Sequence, residues 1–181
     1  MKRRKIIIDC DPGIDDSIAL AYAADHPEAF EILAVTTVAG NQTLDKVTRN
    51  ALDILAFYKQ DVPVAAGMSE PIVRELQTAA DFHGENGLGD CVIPHSDTEP
   101  VKEMAVFYIK KLINELPEKE KVTLICTAPL TNIGLLFKIY PEVKSKIQEI
   151  ILMGGAVAGG NVTPSAEFNI YVDPEAAGIV F

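Results

Sequence analysis

The chain lacks the features that mark membrane and secreted proteins. Its apolar stretches all fall well short of the roughly 20 residues that a membrane-spanning helix needs. The basic start of the chain is followed only by the short apolar run Ile6–Ile8 before Asp9 interrupts it, so we expect no secretion signal. There is also no internal repeat and no low-complexity segment. We therefore expect a protein that neither spans nor enters a membrane.

Positive charge and soft metal ligands are also scarce. The 16 Lys and Arg residues are outnumbered by 26 Asp and Glu residues, and the net charge of −10 argues against nucleic acid or an anionic membrane as a partner. The sequence has no His and Cys spacing typical of a zinc site. Cys10, Cys91 and Cys126 are odd in number and far apart, which suits reduced thiols. We therefore predict a soluble, cytoplasmic protein.

Strand and helix patterns alternate along the chain. An apolar content of 48% in 181 residues is enough for one core, so we expect residues 1–181 to form one domain. The region 67–98 lacks periodicity and reads as a long loop. Alternation favours right-handed crossovers, and hence a Rossmann-like α/β fold with an open, mainly parallel sheet and helices on both faces. We predict strands at 5–8, 30–39, 62–66, 121–127 and 147–153, and helices at 17–24, 43–58, 99–116, 130–139 and from 173 onward.

The densest chemistry follows the first strand, where four carboxylates fall within eight residues: Asp9, Asp11, Asp15 and Asp16. Pro12-Gly13 forces a turn between strand and helix. Because side chains alternate along a strand, Asp9 and Asp11 should share one face while Cys10 points to the other. We expect all four acids to form one cluster at the end of the strand.

Such a cluster requires a counter-charge. Close carboxylates repel one another by roughly 1 to 4 kcal/mol per pair at effective dielectric constants of about 80 to 20. A hard divalent cation with oxygen ligands resolves this repulsion, and we favour Ca²⁺ because it tolerates irregular geometry. In the purely structural alternative, Asp15 caps the helix, Asp16 is solvated and Asp9 binds backbone amides. That alternative is weaker, because a helix cap needs only one acid.

Polar residues also follow other predicted strands. Asn41 comes after the second strand, Thr127 after the fourth and Met153 after the fifth. In a parallel sheet these ends meet at one edge, where ligands bind. Each residue also has a simpler interpretation: Asn41 as a turn residue, Thr127 as the end of a strand, and Met153 as part of the core.

Five segments together resemble the inosine-uridine preferring nucleoside hydrolases: Asp9–Asp16, Gly40-Asn41, Thr127–Asn132, Met153–Gly155 and Glu167–Asn169. The resemblance runs almost from end to end of this chain and corresponds to the N-terminal part of family members. It implies the nucleoside hydrolase fold. It also implies calcium-dependent hydrolysis of the N-glycosidic bond of ribonucleosides, giving free base and ribose for purine or pyrimidine salvage, by an enzyme that is usually a homodimer or homotetramer.

The resemblance also implies roles for individual residues. Asp11 and Asp16 correspond to calcium ligands and Thr127 to a ligand through its backbone carbonyl, with Asp9 supporting them. Asp11 is in addition the general base that takes a proton from a metal-activated water. The residues that hold the substrate would be Asp15, Asn41, Met153, Asn161, Glu167 and Asn169, with His83 in a loop near the base.

The end of the sequence leaves alternatives open. Family members continue beyond Phe181 and supply a His-Asp pair, with a further metal ligand and a group near the leaving base, from that later part. We therefore carry two hypotheses: a nucleoside hydrolase, and a truncated fragment that binds metal and ribose without turnover. A phosphatase of the haloacid dehalogenase type is a more distant rival, because residues 12–16 fit its motif poorly. We further expect the sheet to be partly uncovered, so that the chain aggregates or pairs with itself.

Overall fold

One parallel sheet organises the chain. The computed structural model describes residues 3–89 and 91–181. Neighbouring strands lie in the order β3-β2-β1-β4-β5, and every pair is parallel. This arrangement confirms the predicted open, mainly parallel α/β sheet. The strands are β1 (Arg4–Cys10), β2 (Phe30–Thr37), β3 (Val64–Ala66), β4 (Val122–Cys126) and β5 (Ile147–Leu152).

Helices cover both faces of this sheet. Within the described residues, none of them is both long and apolar enough to cross a membrane. A 3-10 helix at Pro141–Lys146 leads directly into β5. The α-helices are α1 (Ile14–Asp25), α2 (Leu44–Phe57), α3 (Ala80–His83), α4 (Ala105–Glu115), α5 (Thr131–Ile139), α6 (Phe168–Val172) and α7 (Pro174–Val180).

The core lies in two layers, one on each side of β1. Ile7 points to the layer formed with α4, α5 and α7. Ile6, Ile8 and Cys10 point to the opposite layer, formed with α1 and α2. The predicted alternation of side chains along the first strand is thus confirmed, and it places Cys10 on the opposite side from Ile7.

The structure differs from the predicted elements mainly at short segments. The helix predicted at 99–116 begins only at Ala105, because the backbone of Met104 is extended (φ −64°, ψ 146°) and Pro100 disfavours helix in the residue before it. The four-residue α3, the five-residue α6 and the six-residue 3-10 helix were not predicted, since such short segments show no clear periodicity.

The parallel register brings the ends of four strands together. Asp9, near the end of β1, is paired with Thr36 of β2 on one side and with Cys126 of β4 on the other. The end of β5 lies beside that of β4, since Cys126 is paired with Leu152. Residues that follow these strands therefore emerge at one edge of the sheet, as the sequence predicted.

Candidate active site at the carboxyl edge of the sheet

A pair of buried acids lies at the centre of this edge. Asp11 follows β1 and Asp16 lies in the first turn of α1, and their side chains are about 1% and 2% exposed. The two carboxylates are close enough to influence each other's pKa. Burial, followed by the negative charge of Asp16, raises the pKa of Asp11 well above its usual value. Burial likewise raises the pKa of Asp16, to which the charge of Asp15 adds.

The loop after β2 holds the first acid in place. The backbone N–H of Asn41 donates to Oδ2 of Asp11 at 2.6 Å, and the Asn41 side chain donates to the backbone carbonyl of Asp11 at 3.2 Å. A Cβ atom at Gly40 would overlap Oδ2 of Asp11, so this close approach requires glycine. Oδ1 of Asp11 is buried and has no hydrogen-bond partner among the described residues.

The acid pair fits a hard cation. An unpartnered, buried carboxylate oxygen beside a second carboxylate is an oxygen donor set of the kind that Ca²⁺ and Mg²⁺ prefer. In residues 3–89 and 91–181, however, no three His, Cys, Asp or Glu side chains come together as a metal-binding group. The sequence predicted one cluster of four carboxylates, whereas the structure brings Asp11 and Asp16 into contact.

Asp9 is separate because other side chains hold it. Its Oδ1 accepts hydrogen bonds from the hydroxyl of Thr36 at 2.5 Å and from the amide of Asn132 at 2.8 Å. The same amide donates to the backbone carbonyl of Thr37 at 3.0 Å and accepts from the N–H of Met68 at 3.0 Å. Burial raises the pKa of Asp9 to about 6, against the opposing effect of its two hydrogen bonds. A supporting role for Asp9 beside a metal stays a prediction.

Thr127 joins the acid pair to the far side of the site. Its hydroxyl donates a short hydrogen bond to Oδ1 of Asp16. Its backbone carbonyl accepts from the Asn169 amide at 2.8 Å, and the same amide donates to the carbonyl of Met153 at 3.0 Å. The side chain of Asn169, in α6, therefore hydrogen-bonds to the residues that follow both β4 and β5.

A cavity of about 500 Å³ opens beside the acid pair. All seven residues predicted to hold the substrate contribute to its walls: Asp15, Asn41, His83, Met153, Asn161, Glu167 and Asn169. Glu167 is fixed there because it caps α6, where its carboxylate accepts from the N–H groups of Asn169 (3.0 Å) and Ile170 (3.2 Å). The structure thus brings together polar groups that are far apart in the sequence.

His83 borders both the cavity and the start of α1. Its Nδ1 accepts from the N–H of Ile14 at 3.2 Å, an N–H group of the first helical turn. A Cβ atom at Gly13 would come within 2.6 Å of this ring nitrogen, so glycine leaves the room that the imidazole fills.

Sequence reasoning missed four other residues of the cavity wall, Ala79, Phe82, Val162 and Phe168. Phe82 is 82% exposed, and Phe82 and Phe168 each adjoin a predicted site residue in the chain. That adjacency was the only available signal, because helices as short as α3 and α6 show no clear periodicity.

Known proteins resemble this chain in sequence. A family model described as inosine-uridine preferring nucleoside hydrolase matches residues 6–181. The chain is 53% identical to the pyrimidine-specific ribonucleoside hydrolase RihA of Photobacterium profundum, over 98% of this chain and 57% of the relative. It is 51% identical to the protein of the same name from Shewanella, over 98% of this chain and 55% of the relative.

Solved structures give the same result. A plant nucleoside hydrolase superposes with a TM-score of 0.92 at 39% identity, over 99% of this chain and 57% of that one. A purine-preferring ribonucleoside hydrolase from Gardnerella vaginalis superposes with a TM-score of 0.91 at 36% identity. This match covers 98% of this chain and 57% of that one. The chain thus spans little more than half the length of the relatives that it matches. By sequence and by fold, it belongs to the inosine-uridine preferring nucleoside hydrolase family.

Proposed function

We propose that the protein hydrolyses the N-glycosidic bond of ribonucleosides to free base and ribose, with Ca²⁺ as its cofactor. The observation that carries this proposal is the buried pair of Asp11 and Asp16, one oxygen of which lacks a partner, next to a cavity lined by polar side chains. Family membership supports the same reaction. We further propose that the enzyme is cytoplasmic and forms a homodimer or homotetramer. Light scattering tests the oligomeric state.

Asp11 is suited to act as the general base. Asn41 fixes its Oδ2, while Oδ1 is free to accept a proton from the attacking water. Its raised pKa, caused by burial and by Asp16, strengthens it as a base. A divalent cation would be held here by Asp11, Asp16 and the backbone carbonyl of Thr127, with support from Asp9. The chemistry that it would supply is to lower the pKa of a water molecule.

The cavity wall is suited to a ribose. Hydrolysis of a glycosidic bond passes through an oxocarbenium-like sugar, so anionic groups around the ring stabilise the charge of the transition state. Asp15, in α1, and Glu167, at the start of α6, supply negative charge to the cavity wall. Asn161 and Asn169 offer amides to the hydroxyl groups, and Asn41 and Met153 complete the sugar pocket.

The part of the cavity wall formed by His83 and Phe82 is suited to the base. The exposed ring of Phe82 offers a flat apolar surface on which a planar base can stack. We propose pyrimidine ribonucleosides as the first substrates to test, because the relatives at 51% and 53% identity bear the name pyrimidine-specific.

Base release tests the proposed function directly. Uridine, cytidine and inosine are incubated with the protein, whose intact mass is measured first, in Ca²⁺ or in excess chelator. We expect base release in Ca²⁺ and its loss on chelation. Asp11→Asn should lower kcat/KM by about 100-fold or more, since it removes the general base. Hydrolysis that survives both chelation and this substitution would contradict the mechanism.

A second candidate function follows from the length of the chain. Because the chain spans 57% of its relative, residues 1–181 alone can form a fragment that binds a divalent cation and ribose without turnover. Thermal unfolding distinguishes the two functions. A rise in Tm with Ca²⁺ and no base released from any of the three nucleosides would favour the binding fragment.

A further inference from the structure

One side chain of α2 joins two segments of the candidate active site. Asn50 lies in the middle of α2 and is about 7% exposed. Its amide nitrogen donates to the backbone carbonyl of Pro12 at 3.0 Å and to that of Asn86 at 2.8 Å. Pro12 directly follows Asp11, and Asn86 lies three residues after His83. Both hydrogen atoms of this amide therefore hold the turn after β1 against the loop after α3.

Two further side chains hold the loop after α3. The side chain of Gln42 donates to the carbonyl of Gly84 at 2.9 Å, and that of Lys46 donates to the carbonyl of Glu85 at 2.6 Å. The Lys46 contact is exposed, so water can take the place of its ammonium group. Asn50 lies deeper and also reaches the turn after β1, through a buried hydrogen bond. We therefore expect Asn50 to contribute most to the position of this loop.

A second contact joins the same two segments at the cavity itself. Nδ1 of His83 accepts from the N–H of Ile14 at 3.2 Å. Ile14 is the first residue of α1, so no carbonyl of an earlier helical turn is available to its N–H. The position of the His83 ring therefore depends on how closely the loop after α3 lies against the turn after β1.

We propose that Asn50 is a positioning residue that holds His83 at the cavity. The proposal rests on the proposed function, in which His83 and Phe82 form the wall that receives the base. Asn50 acts through two backbone carbonyls, and within the described part of the chain it does not itself line the cavity. Because Asn41 fixes Asp11 separately, loss of Asn50 should weaken nucleoside binding more than the chemical step.

Amide hydrogen exchange, followed by NMR, tests the proposal without metal or nucleoside. In Asn50→Asp the side chain keeps its shape but loses both N–H donors, so the N–H of Ile14 should exchange about tenfold faster or more. The N–H of Ser17 donates to the carbonyl of Gly13 at 3.1 Å in the same turn of α1, and its exchange should change by less than about twofold. This difference separates loss of the His83 contact from fraying of α1. His83→Ala removes the acceptor and should affect Ile14 in the same way.

Asp53→Ala is the matched control. Asp53 lies one turn further along α2, is about 8% exposed, and accepts from the N–H of Ser96 at 2.9 Å, so it holds a later part of the chain. We expect this variant to leave exchange at Ile14 unchanged. Asn50→Ala repeats the test without an added charge. Unchanged exchange at Ile14 in both Asn50 variants, or equal acceleration in Asp53→Ala, would overturn the proposal.

Steady-state kinetics with uridine tests the consequence for binding. Asn50→Ala should raise KM by about fivefold or more and change kcat by less than about twofold, whereas Asp53→Ala should change neither. A lower kcat at unchanged KM would overturn the proposal, because it would assign Asn50 to the support of Asp11. If the unmodified protein releases no base, the proposed function fails, whereas exchange at Ile14 still decides whether Asn50 positions His83.

Discussion

Replacing Asp11 by asparagine should stabilise the metal-free protein while removing its response to calcium. In the native structure Asp11 and Asp16 are both buried and close together, and both have raised pKa values. Asparagine has the same shape, keeps an oxygen that can accept the N–H of Asn41, and can donate its amide to Asp16. The substitution therefore removes a repulsion without leaving a cavity.

The size of the effect follows from the geometry. Two carboxylates in contact repel each other by roughly 1 to 4 kcal/mol at effective dielectric constants of about 80 to 20. We expect Asp11→Asn to raise the free energy of unfolding in chelator by an amount in this range. Tm should rise by about 2 to 4 °C for each kcal/mol in a chain of this length.

The gain should depend on pH in a defined direction. Because burial raises the pKa of both acids, the folded protein binds more protons than the unfolded chain once pH exceeds about 4. The stability of the unmodified protein therefore falls as pH rises from there towards the folded-state pKa values. Asp11→Asn removes one of these groups, so its advantage should grow between pH 5 and pH 8.

Urea unfolding followed by circular dichroism measures these effects, with and without millimolar Ca²⁺. Calcium at 100 times its Kd should stabilise the unmodified protein by about 2.7 kcal/mol and leave Asp11→Asn unchanged. Asp15→Asn is the control, and its effect in chelator should be small because this side chain is exposed. A loss of stability in Asp11→Asn without metal, or a full calcium response, would refute the reasoning.

Three other substitutions test the surroundings of the site. Asn132→Ala should lower the unfolding free energy by about 3 to 5 kcal/mol, because it breaks two buried hydrogen bonds, one of them to a carboxylate, and a third that is partly buried. Asn114→Ala, on the exposed side of α4, should change it by less than about 0.5 kcal/mol in urea unfolding. Asp173→Ala should cost about 2 to 4 kcal/mol in the same assay, because this buried carboxylate caps α7 and also accepts from two other groups. Gly40→Ala should weaken Ca²⁺ binding about tenfold in calorimetry, because its methyl group displaces Asp11; an unchanged affinity would contradict this.

The sheet and the position of the acids after its first strand could be predicted from local patterns, whereas the local pattern predicted a cluster of four acids and not the pair. The apolar run before Asp9 has the length of a buried strand, and Pro12-Gly13 marks its end, so the start of α1 and the place of Asp16 follow. The Asp11–Asp16 contact spans only five residues of sequence, which local geometry can decide. The residues of the cavity wall were predicted only from the resemblance to a family, since a single polar residue in a loop gives little indication of its role.

The separation of Asp9 from the acid pair could not be predicted. Its partner Asn132 lies on α5, 123 residues away in the sequence, and reaches Asp9 only because β1 and β4 are neighbours. An asparagine at the start of a helix is common for local reasons, so nothing in the sequence marks this one as a buried ligand of a carboxylate. The position of Phe82 at the cavity, on the short helix α3, depends equally on the fold of the region 67–98.

The distribution of hydrogen bonds separates structural acids from functional ones at this edge. Asp173 is wholly buried, and its two oxygens accept from Ala176, Ile72 and Thr131, which is the pattern of a group that stabilises the fold. Asp11 is as deeply buried, yet one of its oxygens is unpartnered and faces a second acid. A fold gains no stability from that arrangement, and groups kept at such a cost usually serve chemistry. Oδ2 of Asp9 is also buried without a partner, but only Asp11 combines such an oxygen with a neighbouring buried acid that raises its pKa. The site is therefore identified by that combination, and less by the number of acids in the motif.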